Sequence, residues 1–434
     1  MSGKEISRCI LFTIILLLNL EIAFAQTKTL PKLTSDAAVL MDASTGQILF
    51  AKNMQKKKYP ASITKIMTAL LALENGHLDD TLELSHEAVF SLERNSSHIA
   101  LDEGERITLR QALYALAVAS ANDAANGIAE YLAGDSGEFA RQLTQRAREL
   151  GALKTNFTNA HGLPDEDHYT TAYDMAKIMQ YAVKNPLFCQ IFTTTRFEIP
   201  PTNKQKETRY LNNANPLLKG KYAYDGIIAT KKGWTADSNH TIVAAAKKGE
   251  RLLIAVVLDN PKVKDLCADV TALLDYGFNH FREVSFSLTK EMIAEVWPQN
   301  LAKGEFVLPP VKKVTRLLHH DLNVADIRKN LFVKEKENEA KAVLKLTLNL
   351  RRGSHLMYEN LGAEMLTLDL QPEDLEEAAR PFNFKSISKI LGRLFLGVVL
   401  IVFLLRLRLF IKRRRRKKAL ARERAYRYRY QHRI

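Results

Sequence analysis

Between Tyr59 and Leu70 the sequence sets two polar residues, Ser62 and Lys65, into a run that is otherwise apolar at helical spacing. Ile63, Ile66, Met67, Leu70 and Leu71 recur at the three- and four-residue intervals of one helix face. A chain carrying this stretch is expected to bury the helix and to open its first turn onto a cleft. Ser62 and Lys65 then stand one turn apart and project from the same face. A serine hydroxyl is inert at neutral pH until a neighbouring base takes its proton. A lysine shielded from water has its pKa lowered and can be that base. Unpaired N–H groups at the helix start can help hold a developing oxyanion. The same spacing also suits an N-cap serine with a surface lysine, so the chemistry needs support from elsewhere.

Two further stretches supply it. Ser120-Ala121-Asn122 lies in the small-residue segment Leu116–Ala125, which leaves little side chain to hide the polar pair. Lys231-Lys232-Gly233-Trp234-Thr235 follows later and leads into the strand-like run Thr241–Ala246. The order serine-x-x-lysine, serine-x-asparagine, lysine-x-glycine resembles the three motifs of the penicillin-binding, active-site-serine family. Other stretches narrow the likeness. Val39–Leu49 resembles the opening strand and turn of that family. His161-Gly162-Leu163-Pro164, with His168-Tyr169-Thr170-Thr171-Ala172-Tyr173-Asp174, resembles its D-alanyl-D-alanine carboxypeptidase branch, the serine peptidases of the S11 type. Leu274–Phe278 resembles the end of the catalytic domain. The likeness covers roughly residues 35–283.

That resemblance implies an α/β (α+β) serine β-lactamase/transpeptidase-like domain, an antiparallel sheet flanked by helices. It implies that Lys65 accepts the proton of Ser62, whose oxygen attacks the peptide bond between two terminal D-alanines. The N–H groups of Ser62 and Trp234 would hold the oxyanion, and Ser120 would relay a proton to the departing D-alanine. Asn122 would bind the substrate backbone, and Lys231 would supply positive potential. Lys232, Gly233, Trp234 and Thr235 would line the substrate. Water would then release a peptidoglycan stem peptide shortened by one residue, and β-lactams would acylate Ser62 as substrate mimics. No cofactor is implied, and no His/Cys/Asp/Glu cluster in the sequence argues for a metal.

One position departs from the pattern. The family carries threonine or serine between the lysine and glycine of the third motif, where the hydroxyl meets the substrate carboxylate. Here Lys232 stands in its place. The family's second carboxylate partner, an arginine, aligns near Leu266. The expectation is that Lys232 binds the carboxylate as a charge. A drifted, weakly active peptidoglycan-binding protein is the alternative. A serine β-lactamase shares the three motifs, but its deacylating E-x-x-L-N pattern is absent between the second and third.

The rest of the chain speaks to location. Lys4 and Arg8 precede the apolar run Ile10–Leu18, and Ala23-Phe24-Ala25 offers a cleavage site, so residues 1–25 read as a signal peptide, with an uncleaved anchor as the alternative. Cys9 leaves with it. Cys189 and Cys267 are too few for a disulfide framework, their pairing stays open, and a structural role is expected of each. Residues 26–283 mix strand runs with helical patterns at Ser62–Glu74, Leu109–Leu132, Gly137–Leu150 and Ala172–Val183. Residues 284–380 read as a small β-rich domain, a spacer with no catalytic constellation; Ala342–Leu348 alternates with period two.

From Ile390 to Ile411 the chain is apolar over about the ~20 residues that cross a bilayer, with Arg393 and Arg406 placed to snorkel. Residues 412–434 follow, with twelve Lys/Arg against one Glu, so most of the formal net charge of +15 sits in this tail. The basic run marks the cytoplasmic side and puts the catalytic domain outside the membrane. An amphipathic helix lying in the interface is the alternative. The interleaved Tyr426, Tyr428 and Tyr430 could stack on RNA. Without a folded nucleic-acid module, binding of the tail to anionic lipid is the preferred reading.

Overall fold

In the computed structural model, the residues described are 30–93, 95–286, 314–338, 341–350 and 360–369. The expected signal peptide, membrane span and basic tail lie outside them. Among the described residues no helix is long and apolar enough to cross a membrane.

The first two strands, β1 (Ala37–Asp42) and β2 (Ile48–Lys52), form a hairpin. Ala61–Thr64 makes a 3₁₀ turn that runs straight into α1 (Lys65–Asn75). Then come β3 (Thr81–Glu83), α2 (His86–Phe90), β4 (Arg106–Thr108) and α3 (Leu109–Tyr114). Thr108 and Gln111 close a capping box at the start of α3, which satisfies two otherwise unpaired backbone donors.

The single helix expected over Leu109–Leu132 is broken. Ala115–Ala119 widens into a π turn, Ser120 adopts a left-handed φ of +59°, and the helix restarts as α4 (Asn122–Ala133). The reason lies in where the backbone N–H groups go. Ala121 N–H reaches back to the Ala115 carbonyl at 3.2 Å, and Asn122 N–H leaves the helix for Ser97 O at 2.8 Å. Alanine at 115, 117, 119 and 121 crowds none of this. Propensity over the window reads as helix, and tertiary hydrogen bonds override it.

Four helices and two strands follow in α5 (Ser136–Glu149), α6 (Ala172–Ala182), α7 (Pro186–Thr193), β5 (Arg196–Ile199), β6 (Arg209–Asn212) and, after three long strands, α8 (Val263–Asn279). Those strands are β7 (Ile227–Thr235), β8 (Asn239–Lys248) and β9 (Arg251–Asn260). They complete an antiparallel sheet of order β2-β1-β9-β8-β7. Both faces of the sheet are buried, so β1 reads Ala-Ala-Val-Leu-Met-Asp with no exposed position. Ile254, Val256 and Leu258 of β9 enter one core, beneath α1 and α6. Leu253, Ala255 and Val257 enter the other, against Leu266, Val270 and Leu273 of α8. The expected antiparallel sheet flanked by helices is what forms. Cys189 in α7 and Cys267 in α8 are both free thiols.

Strand β10 (Phe281–Phe286) pairs with β11 (Val314–His319), and Gln47 in the β1–β2 turn exchanges two hydrogen bonds with Leu317. Farther on, β12 (Ile327–Asn338), β13 (Lys341–Leu350) and β14 (Asn360–Asp369) form a three-stranded sheet. Strands therefore dominate the described residues after 284, as the alternation at Ala342–Leu348 suggests.

The β5–β6 hairpin holds the segment in front of the broken helix. Arg209 donates to both oxygens of Glu105, at 2.7 and 2.9 Å, and to Ala100 O at 2.8 Å. Glu105 is fully buried. Burial alone would push its carboxyl up, but the hydrogen bonds from Arg209 and Thr202 outweigh it and hold the carboxyl below the usual range. Removing Arg209 leaves a buried carboxylate without its cation, so Arg209→Met should cost about 3 kcal/mol of stability at neutral pH by denaturant unfolding. Because the folded carboxyl titrates lower than the unfolded one, this stabilisation is full above the unfolded carboxyl range. It fades as pH falls through the folded value, so the gap between parent and variant should close in acid.

Candidate active site

Ser62 sits in the 3₁₀ turn, with buried Ala61 and Ile63 on either side of it. Ala61 takes a left-handed φ of +51°, a conformation non-glycine residues rarely hold. Two neighbours hold the turn. Thr241 of β8 donates its hydroxyl to Pro60 O at 2.8 Å, and Thr64 Oγ1 bonds both Ala61 O (2.9 Å) and His168 Nε2 (2.8 Å). Gly162, at φ +92°, lies so close that an added Cβ would be 1.9 Å from Ala61 O. Only glycine fits there.

Lys65 opens α1 with no exposed surface. Its Nζ lies 3.1 Å from Ser62 Oγ, 2.7 Å from Asn122 Oδ1 and 2.7 Å from the carbonyl of His161. Burial first, and then the nearby Lys231 ammonium, holds the Lys65 amine well below the ordinary lysine range, while Asp123 pulls the other way. Neutral Lys65 can donate to the two oxygens of Asn122 and His161 and still turn its lone pair toward Ser62.

The second and third motifs meet across the same cleft. Lys231 is 3% exposed, and its Nζ lies 2.9 Å from Ser120 Oγ and 2.9 Å from its neighbour's carbonyl, Lys232 O. Burial, aided by the Lys232 charge, brings the Lys231 amine down to about 7. Two sets of hydrogen bonds therefore line the cleft, Lys65 with Ser62 and Asn122, and Lys231 with Ser120.

Strand β7 is an edge of the sheet, so one side of its backbone is free of strand partners. The face of β7 that Gly233 shares with Lys231 meets the Ser62 turn: a Cβ on Gly233 would lie 2.7 Å from Ser62 N and 2.9 Å from Ala61 Cβ. Glycine here lets the strand approach the Ser62 amide. Lys232 alternates to the opposite face, where Ile242 is its cross-strand partner and the Cys267 thiol of α8 is close enough to influence its charge. Half-buried, it is pushed down by desolvation. Leu266, where the family's arginine would align, is packed in the core of that face. Trp234 is 61% exposed beside His240, with ring centroids 6.2 Å apart. Thr235 closes the strand by bonding Ser238.

Sequence reasoning missed two partners of this site. The His161 carbonyl on Lys65 carries no side-chain signal, although the adjacent Gly162 marks a close approach. Asp123, buried beside Asn122, reads in the sequence as an ordinary acidic residue in a first helical turn. Burial holds the imidazoles of His161 and His168 down, His168 to about 4, so both are neutral at physiological pH. Among the described residues no His, Cys, Asp or Glu cluster could hold a metal.

Fold and site together define a serine acyl-transfer enzyme, and comparison with known proteins agrees. The sequence profile of the peptidase S11 family, D-alanyl-D-alanine carboxypeptidase, matches residues 24–262. D-alanyl-D-alanine carboxypeptidase DacF of Bacillus subtilis is 32% identical over 342 residues, covering 76% of this chain and 86% of its own. The Streptomyces K15 DD-transpeptidase superposes with a TM-score of 0.54 at 28% identity, covering 58% of this chain and 99% of its own. Penicillin-binding protein 6B of Escherichia coli shares the fold over 79% of this chain and 98% of its own, with a TM-score of 0.58 at 24% identity. The chain belongs to the D-alanyl-D-alanine carboxypeptidase family. It is a serine hydrolase that removes the terminal D-alanine of peptidoglycan stem peptides through an acyl-enzyme.

Gly233→Ala tests the close approach of β7 to the turn. A Cβ forces the strand off the Ser62 amide, so acylation by a fluorescent penicillin should slow by about 100-fold or more. The core packing of the sheet should keep the protein folded in a melting curve.

Proposed function

We propose that Ser62 is the acylated hydroxyl, Lys65 its general base and Ser120 the proton relay. Neutral Lys65 takes the Ser62 proton as Oγ attacks the carbonyl between the two terminal D-alanines. The oxyanion rests on the N–H groups of Ser62 and Trp234. The tetrahedral adduct collapses, the C–N bond breaks, and the leaving amine takes a proton through Ser120 and returns D-alanine. Water, deprotonated by the restored amine, then cleaves the ester and frees the shortened peptide and Ser62. What carries this reading is the 3.1 Å contact of a fully buried Lys65 Nζ with Ser62 Oγ.

Asn122 binds the substrate backbone, and Lys231 holds Ser120 and attracts the substrate carboxylate. Lys232 takes the place of the family's hydroxyl and arginine pair at that carboxylate. In support, its half-buried ammonium faces the α8 side of the edge strand without an acceptor among the described residues. Gly233, Trp234 and Thr235 line the strand along which the peptide lies. The same residues are open to β-lactams as covalent inhibitors.

The chain is organised as a leader (1–25), a catalytic domain (26–283), a β-rich spacer (284–380), a membrane helix (390–411) and a basic cytoplasmic tail (412–434), with catalysis outside the membrane. The apolar run and its arginine-rich flank support this arrangement.

Two measurements test the assignment on the full-length protein. After penicillin treatment, mass spectrometry should find one adduct, on the peptide containing Ser62; an adduct elsewhere, or none on folded protein, would overturn it. Lys232→Ala should raise KM for a D-alanyl-D-alanine peptide about tenfold or more while kcat changes less, since the lost contact is made in ground state and transition state alike. Unchanged turnover would remove Lys232 from carboxylate binding.

A further inference from the structure

Asp123 takes no part in the steps above, yet it is 1% exposed and adjoins Asn122 at the start of α4. Its carboxylate accepts the backbone N–H groups of Ile99 at 3.1 Å, Leu101 at 3.1 Å and Ala124 at 2.9 Å. The segment it holds returns a bond to the loop, because Ser97 O accepts the Asn122 N–H at 2.8 Å. Ser120, in its left-handed conformation, therefore hangs between a π turn and a helix start fixed from outside. A loop with a strained residue keeps its shape only when its surroundings over-determine it.

Charge gives the second observation. Lys231 from β7 and Asp123 from α4 act on the charge of Lys65, whose own charge in turn bears on the imidazoles of His161 and His168 in the loop before α6. Of these only Asp123 is negative. Its neighbour Asn122 is in direct contact with Lys65 Nζ.

We propose that Asp123 is a positioning residue for acylation, whose buried carboxylate both fixes the Ser120–Asn122 loop against the Lys65 amine and supplies the negative potential that faces it. The proposal rests on Lys65 being the base. Burial and Lys231 depress Lys65, and Asp123 opposes them. A base that is more depressed loses its proton at lower pH, so removing the carboxylate charge moves the acidic limb of acylation downward.

The test follows acylation of the full-length protein by a fluorescent penicillin across pH, with Asp123→Asn, Asp123→Ser, Asp123→Glu and Lys65→Arg, each checked for folding by melting. One pH unit below the parent's acidic midpoint the parent keeps about a tenth of its plateau rate. The two neutral variants should keep several-fold more of their own plateau there, with that plateau lowered by the looser loop. Asp123→Glu should retain the parent's midpoint. Neutral variants that fold and show the parent's midpoint would overturn the proposal, as would the failure of both to fold while Asp123→Glu folds with altered pH dependence. Lys65→Arg labelling at the parent's rate would instead sink the base assignment. Lys65→Arg without labelling, alongside an unshifted limb in the neutral variants, sinks the role of Asp123 alone.

Discussion

The Lys65 side chain has no exposed surface, and the rest of the site is built on that burial. A buried ammonium is costly, and a buried lysine answers by giving up its proton more readily. The fold drives the residue in that direction by packing Ile66, Met67 and the α4 helix around it, with Lys231 adding its positive charge. Its polar needs are met by groups from three separate stretches: Ser62 in its own turn, Asn122 at the restart of a broken helix, and a carbonyl in the loop before α6. None of these stretches could hold the amine alone. The site exists only when the core beneath it is complete, so folding and chemistry are secured by the same contacts.

Backbone approach is the second requirement. The Ser62 turn is squeezed between Gly162 on one side and Gly233 on the other, and a methyl group at either position would collide with the turn. These are functional glycines of different kinds. Gly162 needs both its positive φ and its missing side chain, whereas Gly233 lies in a strand and needs only the missing side chain. Because β7 is an edge strand, its approach to the turn leaves backbone groups open for an extended peptide. Lys232 sits on the far face of this strand from Lys231, beside Trp234 and His240. Two adjacent lysines thereby serve two sides of one edge, and the charge of Lys232 helps burial to lower the hold of Lys231 on its proton.

Much of this was legible in the sequence, because apolar spacing reports burial directly. The pattern from Ile63 to Leu71 identified a buried helix, and the strand-like run Thr241–Ala246 lies within β8. The three short motifs, far apart in the chain, pointed to residues that the fold brings together. What the sequence hid depends on backbone rather than side chains. The interruption at Ser120 looks helical because Ala115 to Ala125 favours helix on propensity, and the competing partners, Ser97 O and Ala115 O, are carbonyls. The β5–β6 hairpin is short and polar on one side, so its strands carry little periodic signal; its clamp, Glu105 with Arg209, pairs residues about a hundred positions apart. Asp123 was overlooked for the opposite reason. An acidic residue in a first helical turn has an ordinary explanation in the helix dipole, and only its burial calls for another.

The state of the Lys65 proton is the most direct test of this account. Lysine side chains labelled with carbon-13 at Cε can be titrated by NMR in the intact protein, and the Lys65 signal assigned by its loss in Lys65→Arg. A resonance that titrates well below the ordinary lysine range, and that disappears or shifts when penicillin occupies Ser62, is the predicted result. A Lys65 signal that stays that of an ammonium up to the ordinary lysine range, with Ser62 still acylated at neutral pH, would contradict it.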